Sequence, residues 1–594
     1  PGNTVNLTID KNIQYAMQEA LKDRIKQVQT EISDSNGHTF QNATRGAALA
    51  IDVNTGKILA LASYPDFDPN LFAIPGQLTE AQTEQYFSPN LEKFGKELIK
   101  RMGLKKSVND LFPKDKNGYR TDPYDLYAKP FYNYATLGTM PPGSIFKPVT
   151  VVAGLEEGVI TPNETINDTG KFNIHPETFG TGFGPVCWIY PGSHGPTDVK
   201  KALQVSCNFF LYETAYRLYM KDGGGTNRPD SLNTIAKYAW KFGLGVDPDS
   251  NTNPSTGIEI EENTTGQTYN FKTFKNSIIA LSGFEIADFL QNETSKGSAI
   301  ATYQGIINFI PFDFSYTDDD SEKVKNLKVD LKQKIKERFE VVGTGTTGKN
   351  ENEFAASILS DVKGIMQNSD VYKSNVKKYE AKYNKSANID EQASLVANAI
   401  ARYVVVDKSA EMTSPGQLVY SAIGQGINHY TPLQLGAYIS TLANGGTRYA
   451  LHLVDSVTDV DGNIVEEYKP KVLDKINISK STLDAVKEGM ARVNNDSEGG
   501  TASSVFSSFP IKTAGKTGTA DYSNDQRDYG RSPYATYASF APVDKPEIAF
   551  VGVICDGGHG SYTAPVAKAV YEAYFKDKIL KDYPEYAKSS ESFK

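Results

Sequence analysis

The sequence predicts an α+β (mixed α/β) fold: an antiparallel five-stranded sheet built from both chain ends, flanked by helices, beside a helical lobe. Near the N-terminus, apolar runs at 47–53 and 57–62 flank Asn54-Thr55-Gly56, the spacing of a hairpin turn. Near the C-terminus, 510–520, 534–541 and 548–555 read as three strands with hairpin links, followed by a closing helix over 563–576. Helical periodicity dominates much of the chain between them.

Residues 11–28 carry Ile13, Ala16, Ala20, Leu21 and Ile25 near helical spacing, with Asp10 as N-cap. Both N-terminal strands are nearly continuous in apolar residues, so their sheet is expected to be covered on both faces. At Met140–Thr150, Pro141, Pro142 and Gly143 forbid a helix, and the apolar run from Val149 then allows one. Ser144 therefore stands near a helix N-terminus with Lys147 one turn on. A serine hydroxyl needs a base to become a nucleophile, and a desolvated lysine can serve. Farther on, a helix from Val199 stops at Ser206-Cys207-Asn208 and another starts at Phe209, so that the turn can aim Ser206 and Asn208 into a cleft.

Length and composition set wide bounds. The 594 residues suffice for two to four domains, and 39% hydrophobic with 22% charged residues is ordinary for a globular protein. A net charge of -9 with interleaved signs argues against a nucleic-acid partner. No apolar run is long enough to span a bilayer. Three cysteines are too few for a disulfide framework.

Single motifs decide little here. Ser-x-x-Lys recurs at Ser360–Lys363 and Ser374–Lys377, and Ser-x-Asn at Ser88–Asn90 and Ser231–Asn233. Lys516-Thr517-Gly518-Thr519, by contrast, holds the one Lys-Thr-Gly in the chain. The ordered set Ser144-x-x-Lys147, Ser206-x-Asn208, Lys516-Thr517-Gly518 resembles the signature of penicillin-binding proteins and serine β-lactamases. Further stretches resemble the transpeptidase domain of class B penicillin-binding proteins: residues 6–10, 45–70, 421–426, 431–434, 443–446, and Cys187-Trp188 with His194-Gly195. Within that family the chain is most similar to the elongation-type penicillin-binding protein 2 group.

The resemblance implies the penicillin-binding transpeptidase / serine β-lactamase-like fold and a single transpeptidase domain over 1–594. It also implies an insertion at about 71–132, as a wall of the cleft, and a larger inserted subdomain at about 268–412. Class B relatives carry an N-terminal membrane anchor and a pedestal. Pro1-Gly2-Asn3 opens abruptly, so the chain is expected to be an excised piece without them, working on the extracytoplasmic face of the bacterial membrane.

The implied activity is D,D-transpeptidation of peptidoglycan stem peptides through an acyl-serine, with β-lactams as covalent inhibitors. Ser144 is the expected nucleophile and Lys147 its base, with Ser206 and Lys516 relaying the proton and Asn208 holding donor and lysine. Thr517, Gly518 and Thr519 bind the substrate, and the N–H groups of Ser144 and Thr519 form the oxyanion hole. No cofactor is required for catalysis. Expected partners are the cell-wall elongation machinery, including a glycosyltransferase. The alternatives are a serine β-lactamase or D,D-carboxypeptidase, or a penicillin-recognising sensor or scaffold.

Cys555-Asp556-Gly557-Gly558-His559 adds a separate expectation. A Cys and a His four apart across two glycines can converge on one ion, and Asp521 should lie at the same sheet end. Cys207, or alternatively Cys187, would complete a structural zinc site. His194 reads as a turn residue supporting the cleft.

Overall fold

The computed structural model describes residues 2–33, 37, 39–224, 229–251, 254–291, 310–316, 320–521 and 524–593. The chain divides into two compact units, one of residues 1–221, 234–269 and 417–594, the other of 222–233 and 270–416.

The first unit is organised around a five-stranded antiparallel sheet, with strands β1 (Arg45–Asp52), β2 (Ile58–Tyr64), β3 (Ala514–Ala520), β4 (Tyr534–Ala541) and β5 (Ile548–Cys555). Their order is β3-β4-β5-β1-β2, so the two chain ends meet where β5 pairs with β1, Cys555 opposite Arg45. The expected sheet is therefore present, with β3 and β2 at its edges. β3 begins four residues later than the sequence reading placed it: Pro510 offers no N–H to a ladder, and the Thr513 hydroxyl instead accepts from the Asn494 amide (2.9 Å).

Both faces of the sheet are covered, as the unbroken apolar strands require. On one side, helix α1 (Lys11–Thr30) buries Ile13, Met17, Leu21, Ile25 and Val28, and its Asp10 cap accepts from Asn12 and Ile13 N–H (2.8 and 3.1 Å). A helix over Ala564–Tyr574 packs beside it, with Val566, Val570 and Tyr571 buried. On the other side runs Pro432–Ala443, buried at every residue, as a helix apolar on all sides must be. Its four fully buried leucine and isoleucine side chains, Leu433, Leu435, Ile439 and Leu442, each contribute about 2 kcal/mol of hydrophobic stabilisation. Tyr438 of this helix donates to the carbonyl of Ile145 (3.2 Å), which ties the turn carrying Ser144 to the centre of the fold.

Residues 71–132 fold on the same unit with a small core of Leu98, Leu111, Phe112 and Leu126. They dock on the sheet end through charge. Asp556, fully buried, accepts from Arg45 (3.0 Å), from Arg531 (2.8 Å) and from the N–H of Ser532 (2.9 Å). Arg45 reaches Asp125 of the docked segment (3.4 Å), and Tyr124 stacks on Tyr529 (4.1 Å).

The second unit is helical. Ser321 caps Glu322–Glu340, Asn350 caps Glu351–Asn368, and Ile389–Arg402 runs on into one π-helical turn, Tyr403–Lys408. Phe271–Gln291 and Asp370–Tyr383 complete the unit; the latter buries only Tyr372 and has no apolar stripe to read. Lys328, fully buried, donates to Asp320 (2.8 Å) and to the Ser315 carbonyl (2.6 Å).

Removing the charge of Asp556 takes the buried carboxylate from Arg531 and leaves Arg45 with only the longer contact to Asp125. Asp556→Asn is expected to cost about 3–5 kcal/mol, read as a thermal midpoint several degrees below the parent's.

Candidate active site

Ser144 sits in a tight 3-10 turn, Gly143–Phe146, that runs directly into a helix over Lys147–Glu156. The turn is pinned to the sheet by close backbone approach. Gly143 has φ +57° and donates to the Gly424 carbonyl (3.0 Å); a Cβ there would lie 2.9 Å from the Thr519 carbonyl oxygen. Thr536 on β4 donates to the carbonyls of Pro142 (3.2 Å) and Gly518 (3.0 Å). Gly518 also lacks room for a side chain, since a Cβ would meet Thr536 Oγ1 at 2.2 Å. The Ser144 turn thus rests against β3 beside Thr519.

Lys147 opens the helix and is fully buried. Its three N–H groups all find acceptors: the Ser206 carbonyl (2.7 Å), Ser206 Oγ (3.1 Å) and Asn208 Oδ1 (2.6 Å). Burial lowers its pKa to about 8, because desolvation disfavours the ammonium. The neutral amine is therefore far easier to reach near neutral pH than in a solvated lysine. The Ser144 hydroxyl makes no hydrogen bond among the described residues, and its side chain is partly exposed in the cleft.

Ser206 lies between the helices Val199–Gln204 and Asn208–Lys221. Its φ is +55°, a left-handed conformation that costs a non-glycine residue about 1–2 kcal/mol. That conformation turns both its carbonyl and its hydroxyl onto Lys147. Strain held at one such residue, over-determined by its surroundings, is characteristic of functional turns.

Lys516 on β3 is also fully buried, and its Nζ donates to the Thr517 carbonyl (3.2 Å). Burial, then the Lys147 charge, pushes its pKa well below that of an ordinary lysine. Strand alternation puts Lys516 and Gly518 on one face and Thr517 and Thr519 on the other. Thr517, Thr519, Ser144, Ser206 and Asn208 together line one cleft of about 510 Å³. The three motifs expected from sequence therefore converge: hydroxyls line the cleft, and the two lysines lie buried behind it. Sequence reading missed the opposite rim, where Gly499, Gly500 and Thr501 approach and Thr501 hydrogen-bonds Thr517 (2.7 Å). The run Gly499-Gly500-Thr501 was the available signal. Trp188 and His559 line the cleft as well.

The expected metal set requires correction: the structure does not assemble Asp521, Cys555, His559 and Cys207. Asp521 pairs with Arg527 (2.9 Å). His559 turns Nδ1 to the Ser561 hydroxyl (2.9 Å). Cys555 lines a different cavity, with Asp125, Tyr132 and Tyr134, whereas His559 faces the cleft. Burial pushes the Cys555 thiol up to about 11, away from the thiolate a metal needs. Two glycines between strand end and His559 let the chain turn away rather than fold back.

Cys207 instead meets Asp168, Cys187 and His194, whose donor atoms all lie within 4.8 Å of one another. His194 Nδ1 is 2.7 Å from Asp168 Oδ2 and 3.5 Å from Cys187 Sγ, and Cys207 Sγ is 3.3 Å from Asp168 Oδ2. The thiol of Cys207 donates to Asp168, and the surroundings of Cys187, chiefly Cys207, then His194 and the N–H groups of Phe209 and Asn208, lower its pKa to about 4. This buried group supports the Ser206 turn from beneath, since the Asn208 N–H points at Cys187 Sγ (3.2 Å). Asp168, at the end of the short strand Ile166–Asp168, belongs to no motif and carried no signal in the sequence.

A sequence profile described as the penicillin binding protein transpeptidase domain matches residues 46–364 and 403–572. Penicillin-binding protein 2A of Bacillus subtilis (strain 168) is 35% identical over 182 residues, covering 28% of this chain and 25% of that protein. Peptidoglycan D,D-transpeptidase MrdA of Haemophilus influenzae is 26% identical over 274 residues, covering 44% of this chain and 28% of that protein. The matched stretches thus span about a quarter of these relatives' length. Two solved structures share the fold. A chain described under the structural coordination of polymerization and crosslinking by a peptidoglycan synthase complex has TM-score 0.53 at 22% identity, covering 97% of this chain and 63% of that one. Pseudomonas aeruginosa PBP2 in complex with WCK 5153 has TM-score 0.51 at 20% identity, covering 97% and 79%.

Proposed function

The chain belongs to the penicillin-binding protein transpeptidase domain family, and from that premise we propose that it is a serine D,D-transpeptidase that cross-links peptidoglycan stem peptides. The observation that carries the reading is Lys147, buried behind Ser144 and held by Ser206 and Asn208 in the cleft that Thr517 and Thr519 also line. Neutral Lys147 takes the Ser144 proton as Oγ attacks the carbonyl of the penultimate D-alanine. Ser206, with Lys516, relays that proton from Lys147 to the departing D-alanine amine as the C–N bond breaks, leaving Lys147 neutral again. The donor's terminal carboxylate sits on Thr517 and Thr519, and Gly518 admits the strand's close packing. N–H groups of Ser144 and Thr519 hold the oxyanion, each donor typically lowering the barrier by about 3 kcal/mol. A second peptide's amine then attacks the ester carbon; a C–N bond forms, the C–Oγ bond breaks, and the amine proton returns to Ser144.

The same reading makes β-lactams covalent inhibitors and places the chain, as part of a class B elongation-type protein, on the extracytoplasmic face of the membrane. Among the described residues no helix is long and apolar enough to cross a bilayer. A glycan-polymerising partner fits this role; a structural neighbour is described in a synthase complex coordinating polymerization and crosslinking. Residues 71–132 and 268–412 are assigned as insertions in the transpeptidase domain.

Incubation with penicillin G is expected to add one penicillin mass to the intact chain, stable during the measurement and absent in Ser144→Ala. Steady hydrolysis of a chromogenic cephalosporin supports the hydrolase alternative instead. Failure of Ser144 to acylate supports a scaffold.

A second assignment concerns structural zinc, which catalysis does not require. The fitting residues are Asp168, Cys187, His194 and Cys207. Two thiolates, an imidazole and a carboxylate form a donor set that zinc takes. The separations of 3.3 and 3.5 Å match neighbouring ligands around a tetrahedral ion with bonds of about 2.0–2.3 Å, whereas the 2.7 Å hydrogen bond between His194 Nδ1 and Asp168 Oδ2 must open to admit one. The ion would balance the Cys187 and Asp168 charges and stiffen the Ser206 turn. Elemental analysis is expected to find one zinc per chain, lost in Cys187→Ser, with a lower thermal midpoint after chelation. Absence of zinc and an unchanged midpoint would contradict the assignment.

A further inference from the structure

Trp188 and His559 face the catalytic cleft, and both also line a second cavity of about 1160 Å³. Phe40 and Tyr562 line it as well, and residues 100–104 form one wall. That wall is the C-terminal end of the helix Leu91–Met102 and its left-handed Gly103 cap, within the segment 71–132. Four cations line the cavity: Lys100, Arg101, Arg527 and Arg531. Arg531 is committed to Asp556 (2.8 Å) and Arg527 to Asp521 (2.9 Å). Lys100 and Arg101 are exposed and have no ion pair among the described residues, and the described lining includes no carboxylate.

On the transpeptidase reading the donor peptide lies along Thr517 and Thr519 and occupies the smaller cleft. The amine that attacks the acyl-Ser144 ester must therefore arrive from a neighbouring space, and a peptide acceptor brings carboxylates with its amine. Ammonium and guanidinium groups bind carboxylates strongly when unpaired, and a cavity lined by one sign of charge concentrates the opposite sign. We propose that this second cavity is the acceptor subsite, where Lys100 and Arg101 hold the carboxylates of the incoming peptide while its amine reaches past Trp188 and His559 to Ser144. The proposal rests on the transpeptidase reading. It also assigns work to the segment 71–132. A simpler role, cations placed to complement the helix's negative end, predicts a change in stability alone.

The test uses the whole chain, a thioester donor that acylates Ser144, and two acceptor peptides that differ only in a free or amidated C-terminal carboxylate. Lys100→Glu/Arg101→Glu is expected to raise KM for the free-carboxylate acceptor at least fivefold, and for the amidated one less than twofold. Lys100→Gln/Arg101→Gln should fall between parent and reversal. The rate of Ser144 acylation by penicillin should stay within twofold, because donor chemistry lies in the other cleft. A free-carboxylate KM within twofold of the parent, or equal weakening of both acceptors, overturns the subsite and leaves the transpeptidase reading standing. A parent chain that never acylates overturns that reading, and the subsite with it.

Discussion

Two lysine side chains buried at one point in the fold set the terms for everything around them. An ammonium taken out of water is costly unless every N–H finds an acceptor, and even then its charge is disfavoured. Lys147 meets the first demand completely, through the carbonyl and hydroxyl of Ser206 and the amide oxygen of Asn208. The second demand remains and becomes chemistry: an amine held near neutrality can take a proton from Ser144. Lys516, buried as well, is pushed down further by the Lys147 charge. The strained backbone at Ser206 is tolerated because it delivers two of the three acceptors at once.

Supplying those acceptors requires distant segments to be held rigidly together. The sheet does this by joining the chain ends at β5 and β1, so that β3 comes to lie against the Ser144 turn. Glycines at 143 and 518 let backbone approach backbone where any side chain would collide. The buried helix Pro432–Ala443 fixes the turn from behind through Tyr438, and the Asp168 group supports the Ser206 turn from beneath. At the sheet end where β3 finishes, the pairing of Asp556 with Arg45 and Arg531 anchors the segment 71–132, which in turn walls the second cavity.

Much of this was legible in the residues. The N-terminal hairpin and the β4 and β5 strands could be placed because their apolar runs are bounded by turn residues, and Ser144 could be singled out because Pro141, Pro142 and Gly143 fix where a helix begins. What could not be read depends on space rather than pattern. Cys555 and His559 are four residues apart, yet the chain turns between them and they face different cavities. Asp168 and His194 lie far from Cys207 in sequence, and no local spacing marks them as its neighbours. The helix Asp370–Tyr383 leaves no stripe because it buries almost nothing.

The dependence of chemistry on burial is measured most directly by the rate of Ser144 acylation as pH is varied, using a chromogenic or fluorescent β-lactam at limiting concentration. Lys147 works in its neutral form, and its folded pKa is lowered to about 8. The second-order rate should therefore rise about tenfold per pH unit below that value and level off above it. A rate that keeps climbing to pH 10, as an ordinary solvated lysine would dictate, or one independent of pH between 6 and 9, would contradict the account.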